Sequence, residues 1–287
     1  MSLLIFPAVS SIIDNSTDTA YQKQINTILK SAYDFSLKNI SYLPDSGQSA
    51  YVTLGELKYE GLIDNSFINP KTGTAFRDNL VISINNVGTS YNYDKNTSML
   101  EGNYLYTIIL DSATNSNLLP TITLTSDGIT ETSGGNYVKT LDLNDELGNI
   151  TYSAESNSGV DLTNKVKNYI TKGDISVDDI DSSTFGIYKI NYVVVDNNGY
   201  ANTTVLNVII ADTTSPDITL PENNTITNIN NFDLLNGVTC TDNSGFCDVV
   251  VSSNGVDDIL DNKFIVEYTA TDPSGNTKTA RRVITIE

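Results

Sequence analysis

The sequence predicts an α+β N-terminal domain, one long helix on a small antiparallel sheet, followed by two all-β sandwiches in tandem. Three observations carry this: an apolar stripe at helical spacing in the first forty residues, short alternating apolar runs after it, and an internal repeat in the last 175 residues. A chain of 287 residues suits two or three domains of ordinary size, and the boundaries are expected at 1–112, 113–212 and 213–287.

The pattern turns helical at Pro7. Tyr21, Ile25, Ile28, Leu29, Ala32 and Phe35 fall on one face of a helix. Asp14 and Asp18 lie early and Lys23, Lys30 and Lys38 late, which suits the helix dipole, and Asp34 precedes Lys38 by four positions in the favourable order. A helix from about Pro7 to Lys38 follows. Its first half, Ser10 to Thr19, is rich in side chains that compete for backbone hydrogen bonds and is apolar only at Ile12 and Ile13. That half is expected to project from the domain while the second half packs.

Thr53 with Glu56 in VTLGELKYEG makes a capping box, so a short helix is expected from Leu54 to Glu60, ending at Gly61. NPKTG at Asn69 to Gly73 reads as a turn. Leu80 to Asn85 and Thr89 to Tyr93 alternate about Asn86–Gly88 as a hairpin, and Tyr104 to Leu110 supplies a third strand.

The stretch FPAVSSIIDNSTDTAYQKQINTILKSAYDFSLKN resembles the second half of the N-terminal helix of type IV pilins and type II secretion pseudopilins, especially those of low-GC Gram-positive bacteria. Pro7 matches the family's proline, and Val9, Ile12 and Ile13 match the apolar group that follows it. TLGELKYEGLID and then NPKTG resemble its short helix and loop. The resemblance covers roughly residues 4 to 110; the family's prepilin cleavage motif is not in this chain. It implies a truncated, soluble version whose apolar membrane-anchoring and polymerising half is missing. It further implies other pilin-like subunits as partners through the helix, with Pro7, Val9, Ile12 and Ile13 as filament-assembly positions, and an extracellular, cell-surface location.

The remainder repeats. LPTITL (Leu119 to Leu124) recurs as SPDITL (Ser215 to Leu220), 96 positions later, and NYVVVDNNGYANTTVLNVII recurs as EYTATDPSGNTKTARRVITI, 76 positions later. Tyr192 then pairs with Tyr268, Asp196 with Asp272 and Gly199 with Gly275, the first copy carrying an insertion of 20 residues. Each copy starts with an extended Pro-containing segment and ends in two alternating runs joined by an Asp-x-x-Gly turn, which is the size and pattern of an immunoglobulin-like sandwich without the Cys-Trp-Cys centre. NSGVDLTNKV and the terminal YxxxDxxGN resemble the hallmarks of bacterial surface Ig-like modules, hyalin-repeat types included, although Tyr200 replaces the Asn in the first copy. The short linker ADTTSP is expected to hold the two sandwiches end to end as a rod.

Composition narrows the function classes. Sixteen basic against 35 acidic residues give a net charge of −19, which opposes nucleic acid and anionic membrane faces as partners. The absence of His removes Ser-His-Asp and Cys-His catalysis and His-based metal sites, so no enzyme is expected. The longest apolar stretch, LLIF before Pro7 with Ala8 and Val9 after it, is too short to cross a bilayer and lacks the flanks of a signal peptide.

Cys240 and Cys247 bracket a turn and in an oxidising compartment would close a loop worth roughly 2–3 kcal/mol. Asp196, Asp242, Asp248 and Asp272, with Asp161 and the group Asp178, Asp179 and Asp181, offer hard oxygen ligands for weakly held calcium. None is spaced as an EF-hand loop, and turn formation is the favoured reading of these acids; no other cofactor is expected. Lys189, Lys263 and Glu267 lie near predicted strands, but spacing alone does not support an isopeptide cross-link, and for Tyr91, Tyr93, Tyr104 and Tyr106 half-buried sheet surface is the favoured reading over sugar stacking. The functional expectation is a structural and adhesive filament subunit that contacts an extracellular protein or glycan. The alternative is a cell-envelope adhesin or binding module of Ig-like domains without a filament.

Overall fold

The structure is a computed structural model that describes residues 6–110, 118–132, 134–173, 175–222, 224–228, 232–255 and 260–287, with the side chains described from residue 16 onward. The expected boundary at 112/113 lies outside the described residues. The chain divides into two compact units, one of Met1–Lys139, Asn149–Ile180 and Tyr188–Val208, the other of Thr140–Gly148, Asp181–Ile187 and Ile209–Glu287. An N-terminal helix packs on an antiparallel sheet, and β-sheet predominates after it.

Helix α1 spans Phe6–Lys38. Its stripe is buried as the spacing predicts: Ile25, Ile28, Leu29 and Ala32 are all but inaccessible and Phe35 nearly so. At about 1.5–3 kcal/mol for each large side chain, this face is what fixes the second half of the helix. The stripe meets a sheet of strands β1 (Ser49–Thr53), β2 (Val81–Asn86), β3 (Ser98–Glu101) and β4 (Tyr104–Ile109), in the order β1-β2-β4-β3. Ile82 and Ile84 of β2 lie opposite Ile108 and Tyr106 of β4 and share a core with the helix. Val81 and Ser83, on the other face, are buried too, so this central strand is covered on both sides.

The capping box forms: Glu56 donates its backbone N–H to Thr53 Oγ1, while the Glu56 carboxylate accepts from the Thr53 backbone N–H at 2.8 Å. It starts helix α2, Leu54–Tyr59. The expected hairpin between Leu80–Asn85 and Thr89–Tyr93 does not form. Thr89 to Tyr93 carries no aliphatic residue and stays outside any strand, whereas β2 gains apolar cross-strand pairs by joining β4. The hairpin of this sheet is instead β3 to β4 about Gly102, and β1, which sequence reasoning did not assign, completes the edge.

The β-rich part contains a six-stranded sheet in the order β10 (Ile175–Val177), β9 (Lys167–Lys172), β11 (Gly186–Val195), β12 (Ala201–Ala211), β7 (Asn136–Asp142) and β6 (Thr130–Thr132). A two-stranded pair joins β5 (Thr121–Thr125) to β8 (Thr151–Glu155). Tyr188, Ile190, Tyr192 and Val194 alternate inward along β11, as Thr204, Leu206, Val208 and Ile210 do along β12. In the second unit β14 (Thr225–Ile226), β18 (Thr277–Ile286), β17 (Lys263–Thr271) and β16 (Asp248–Ser253) make a four-stranded sheet, and β13 (Asp217–Thr219) pairs with β15 (Thr239–Thr241). Phe264, Val266, Tyr268 and Ile284 form its core.

Candidate functional site

Three places bring chemistry-bearing residues together. The first is the exposed part of α1. Pro7, Val9, Ile12 and Ile13 lie within the helix, ahead of the residues whose side chains are described. Asp18, Thr19 and Ala20 are exposed, and Asp18 pairs with Lys71 at 2.9 Å while the Lys71 ammonium sits 4.4 Å over the Tyr21 ring. At 1.5 Å per residue the 33-residue helix is about 50 Å long, whereas four strands at about 4.8 Å spacing and six residues at about 3.3 Å give a sheet roughly 20 Å across. The sheet is too small to cover the helix.

The second is a polar junction inside the first unit. Lys167 on β9 pairs with Glu56 of α2 at 2.7 Å and hydrogen-bonds to the Tyr42 hydroxyl, which donates to the Tyr51 carbonyl. Burial pushes the Lys167 ammonium down, but Glu56 and the Tyr42 oxygen outweigh it and hold its pKa above the usual lysine value. Burial raises Tyr42, with the Glu56 charge adding to the effect. Tyr169, one turn of strand further on, lies 5.0 Å from the Tyr59 ring, and its hydroxyl would come within 2.6 Å of any Cβ added at Gly55. Ser176 donates to the Tyr59 carbonyl at 2.9 Å. A cavity of about 570 Å³ opens beside this network, bordered by Tyr42, Tyr51, Glu56, Lys165, Lys167 and Asn197.

The third is a carboxylate group in the second unit. Asp212 follows β12, Asp242 follows β15 and Asp272 follows β17, and one oxygen from each lies within 4.8 Å of the others. Each such pair repels by about 1 kcal/mol in water and about 3–4 kcal/mol at an effective dielectric of 20. Of the acids singled out in the sequence, the fold thus gathers Asp242 and Asp272 and leaves out Asp248, exposed at the start of β16. Asp196 sits in the other unit.

Sequence reading missed Asp212 because it was counted as linker. Its signal was the D-T-T-S-P context, in which an acid follows a strand end directly.

The remaining acids act on their own turns. Asp161 Oδ1 accepts from the Thr163 backbone at 2.9 Å, a bond that, with another from the Thr163 side chain, holds its carboxyl below the usual value. Asp179 and Asp181 cap Ile180 and Ser183 in the same way. Cys240 and Cys247 are disulfide-bonded. Glu267 pairs with Arg281 at 2.7 Å rather than with Lys263. Tyr106 is 1% exposed and shares a 2.7 Å hydrogen bond with Ser36, which removes it from any sugar platform and makes it core.

No protein-family model matches the chain, and no curated protein matches it. Among solved structures, the matches include a lipoprotein of Bacteroides thetaiotaomicron. It is 18% identical, the match covers 58% of this chain and 80% of that one, and the TM-score is 0.23. The similarity is distant.

Proposed function

We propose that this chain is a structural and adhesive subunit of a cell-surface type IV pilus-like filament or secretion pseudopilus. Helix α1 is the polar half of an assembly spoke that neighbouring pilin-like subunits contact. The β-rich remainder is a pair of Ig-like modules displayed outward to meet a protein or glycan.

The observation that carries the reading is the excess of helix over sheet. A helix of about 50 Å on a sheet of roughly 20 Å extends well past that sheet, and a filament core would give the excess length something to pack against. No described helix is long and apolar enough to cross a membrane. The Cys240–Cys247 disulfide suits an oxidising, extracytoplasmic location, and the charge of −19 argues against nucleic acid as cargo.

The test uses antibody to this chain on filaments sheared from producing cells. The chain is expected in the sheared filament fraction and absent from it once the prepilin peptidase is inactivated. Release of the same amount without that peptidase overturns the filament and leaves an envelope-anchored adhesin.

A further inference from the structure

The proposed function does not draw on the carboxylate group of the second unit, whose chemistry is unusual. Asp212 and Asp272 are 7% and 5% exposed, yet both sit beside Asp242 with one oxygen of each within 4.8 Å. Three negative charges that close, two of them shielded from water, need a counter-charge.

The donors found among the described residues are neutral. Asp212 accepts from the Thr214 backbone at 3.3 Å and from Ser274 Oγ at 3.0 Å, and Asp272 accepts from the Asn276 backbone at 2.9 Å and its side chain at 2.8 Å. Asp242 Oδ2 accepts from the Ser244 backbone at 2.8 Å and from the Ser244 hydroxyl. None of the three takes part in an ion pair among the described residues.

A second observation points to a ligand. Asp242 Oδ1 exposes under 1 Å² and accepts no hydrogen bond from the described residues, so this carboxylate oxygen is shielded from solvent without a protein donor among them. A fourth carboxylate borders the group: Asp142 accepts from the backbone of Thr213, next to Asp212, at 2.6 Å and from Asn243, next to Asp242, at 3.1 Å.

We propose that Asp212, Asp242 and Asp272 bind one calcium ion. The ligand set is oxygen only, since the chain has no His and both Cys are in the disulfide, which selects a hard cation. The three acids come from three separate turns, and calcium accepts such irregular sets of carboxylate, carbonyl and water oxygens at about 2.3–2.6 Å, whereas magnesium demands a tighter octahedron. Binding ties the segment after β12 to the turns after β15 and β17, with an affinity in the range of about 10⁻⁴–10⁻³ M seen for extracellular modules.

The full chain, stripped of divalent ions with EDTA, is titrated with CaCl₂ by calorimetry and by thermal unfolding. Saturation at one ion per chain is expected, with a midpoint raised by several degrees at about ten times the dissociation constant and a smaller rise in MgCl₂ of equal concentration. Asp242→Asn keeps the side-chain shape and is expected to lose the calcium response, with an ion-free midpoint equal to the parent's or higher because one repelling charge is gone. Asp212→Asn is the second variant, with the same expectation for calcium. Absence of heat and shift, an equal response to both ions in the parent, or a parent-like calcium response in both variants overturns the site.

Discussion

The Asp-x-x-Gly turn occurs twice, at Asp196 to Tyr200 between β11 and β12 and at Asp272 to Asn276 between β17 and β18, and the two copies fold alike in different surroundings. In both, the aspartate backbone donates to the residue four positions on, Tyr200 at 2.9 Å and Asn276 at 3.1 Å, and the glycine donates back to the aspartate carbonyl. Gly199 and Gly275 both adopt the left-handed conformation, at φ of 81° and 90°. The first turn is pressed against β4 and β1: a Cβ at Gly199 would collide with Ile109, and Tyr51 donates to the Asn197 carbonyl at 3.3 Å. The second has open space at its glycine and looks onto carboxylates instead. One local sequence code thus serves as a structural buttress in one place and as the rim of an anionic group in the other.

Breaking the two copies in parallel separates what is shared from what is not. The largest effect is expected at the buried tyrosines two strand turns before each loop. Tyr192→Ala and Tyr268→Ala each cost about 3–5 kcal/mol, since both rings are almost inaccessible. The Phe variants then differ. Tyr268 donates to the Leu234 carbonyl at 2.8 Å, so Tyr268→Phe costs about 1 kcal/mol, whereas Tyr192, whose pKa burial pushes up to about 12, makes no such bond among the described residues and Tyr192→Phe is near neutral. Denaturant titration of the four variants checks this, and equal costs for the two Phe variants would contradict it.

Next in size is the glycine pair. Gly275→Ala carries the left-handed penalty alone, about 1–2 kcal/mol. Gly199→Ala adds the collision with Ile109 and is expected to lose about 2–4 kcal/mol, and Ile109→Ala in the same chain returns part of the difference. Unfolding midpoints that rank the two glycines equally would show that the buttress bears no strain.

The last residue of the turn differs, and so does its role. Asn276 donates to Asp272 Oδ2 at 2.8 Å and to the Asp212 carbonyl at 3.1 Å, so Asn276→Ala costs about 1–2 kcal/mol, while Tyr200→Asn, which copies the second turn into the first, stays within about 0.5 kcal/mol. Thermal midpoints of the two variants measure the contrast.

The smallest effect concerns pH. Burial pushes Asp272 up, but hydrogen bonds from Asn276, Ser274 and Gly275 outweigh it and leave its pKa below the usual carboxylate value. A folded pKa below the unfolded one gives stability that is present above about pH 4 and is lost as pH falls through the folded pKa. Asp142, held by Thr213 and Thr214 against its own burial, adds in the same direction. Urea midpoints measured from pH 6 down to pH 3 should therefore fall less steeply for Asp272→Asn than for the parent; parallel curves would remove Asp272 from the acid response.

Local code was read well and pairing was not. The capping box at Thr53 and Glu56, the stripe from Ile25 to Phe35 and the twin turns each depend on residues a few positions apart, where spacing alone fixes geometry. The partner of β2 was misassigned because Thr89 to Tyr93 follows it directly and alternates, whereas its actual partner, Tyr104 to Ile109, is selected by apolar cross-strand pairs buried against α1. The anionic group was half legible: Asp242 and Asp272 stood out as turn acids, whereas Asp212 and the neighbouring Asp142 join them through contacts across 30 to 100 positions of sequence.

By itself the sequence determined a long amphipathic N-terminal helix, a duplicated β-rich remainder, a strongly acidic surface and a chemistry without histidine, since each follows from composition or from short-range periodicity. Tertiary structure alone decided which strand lies beside β2, which tyrosines are core, and which three of many aspartates share one place. Those outcomes depend on burial and on charge at distances of a few ångströms, and a linear order of residues carries neither until the chain has closed on itself.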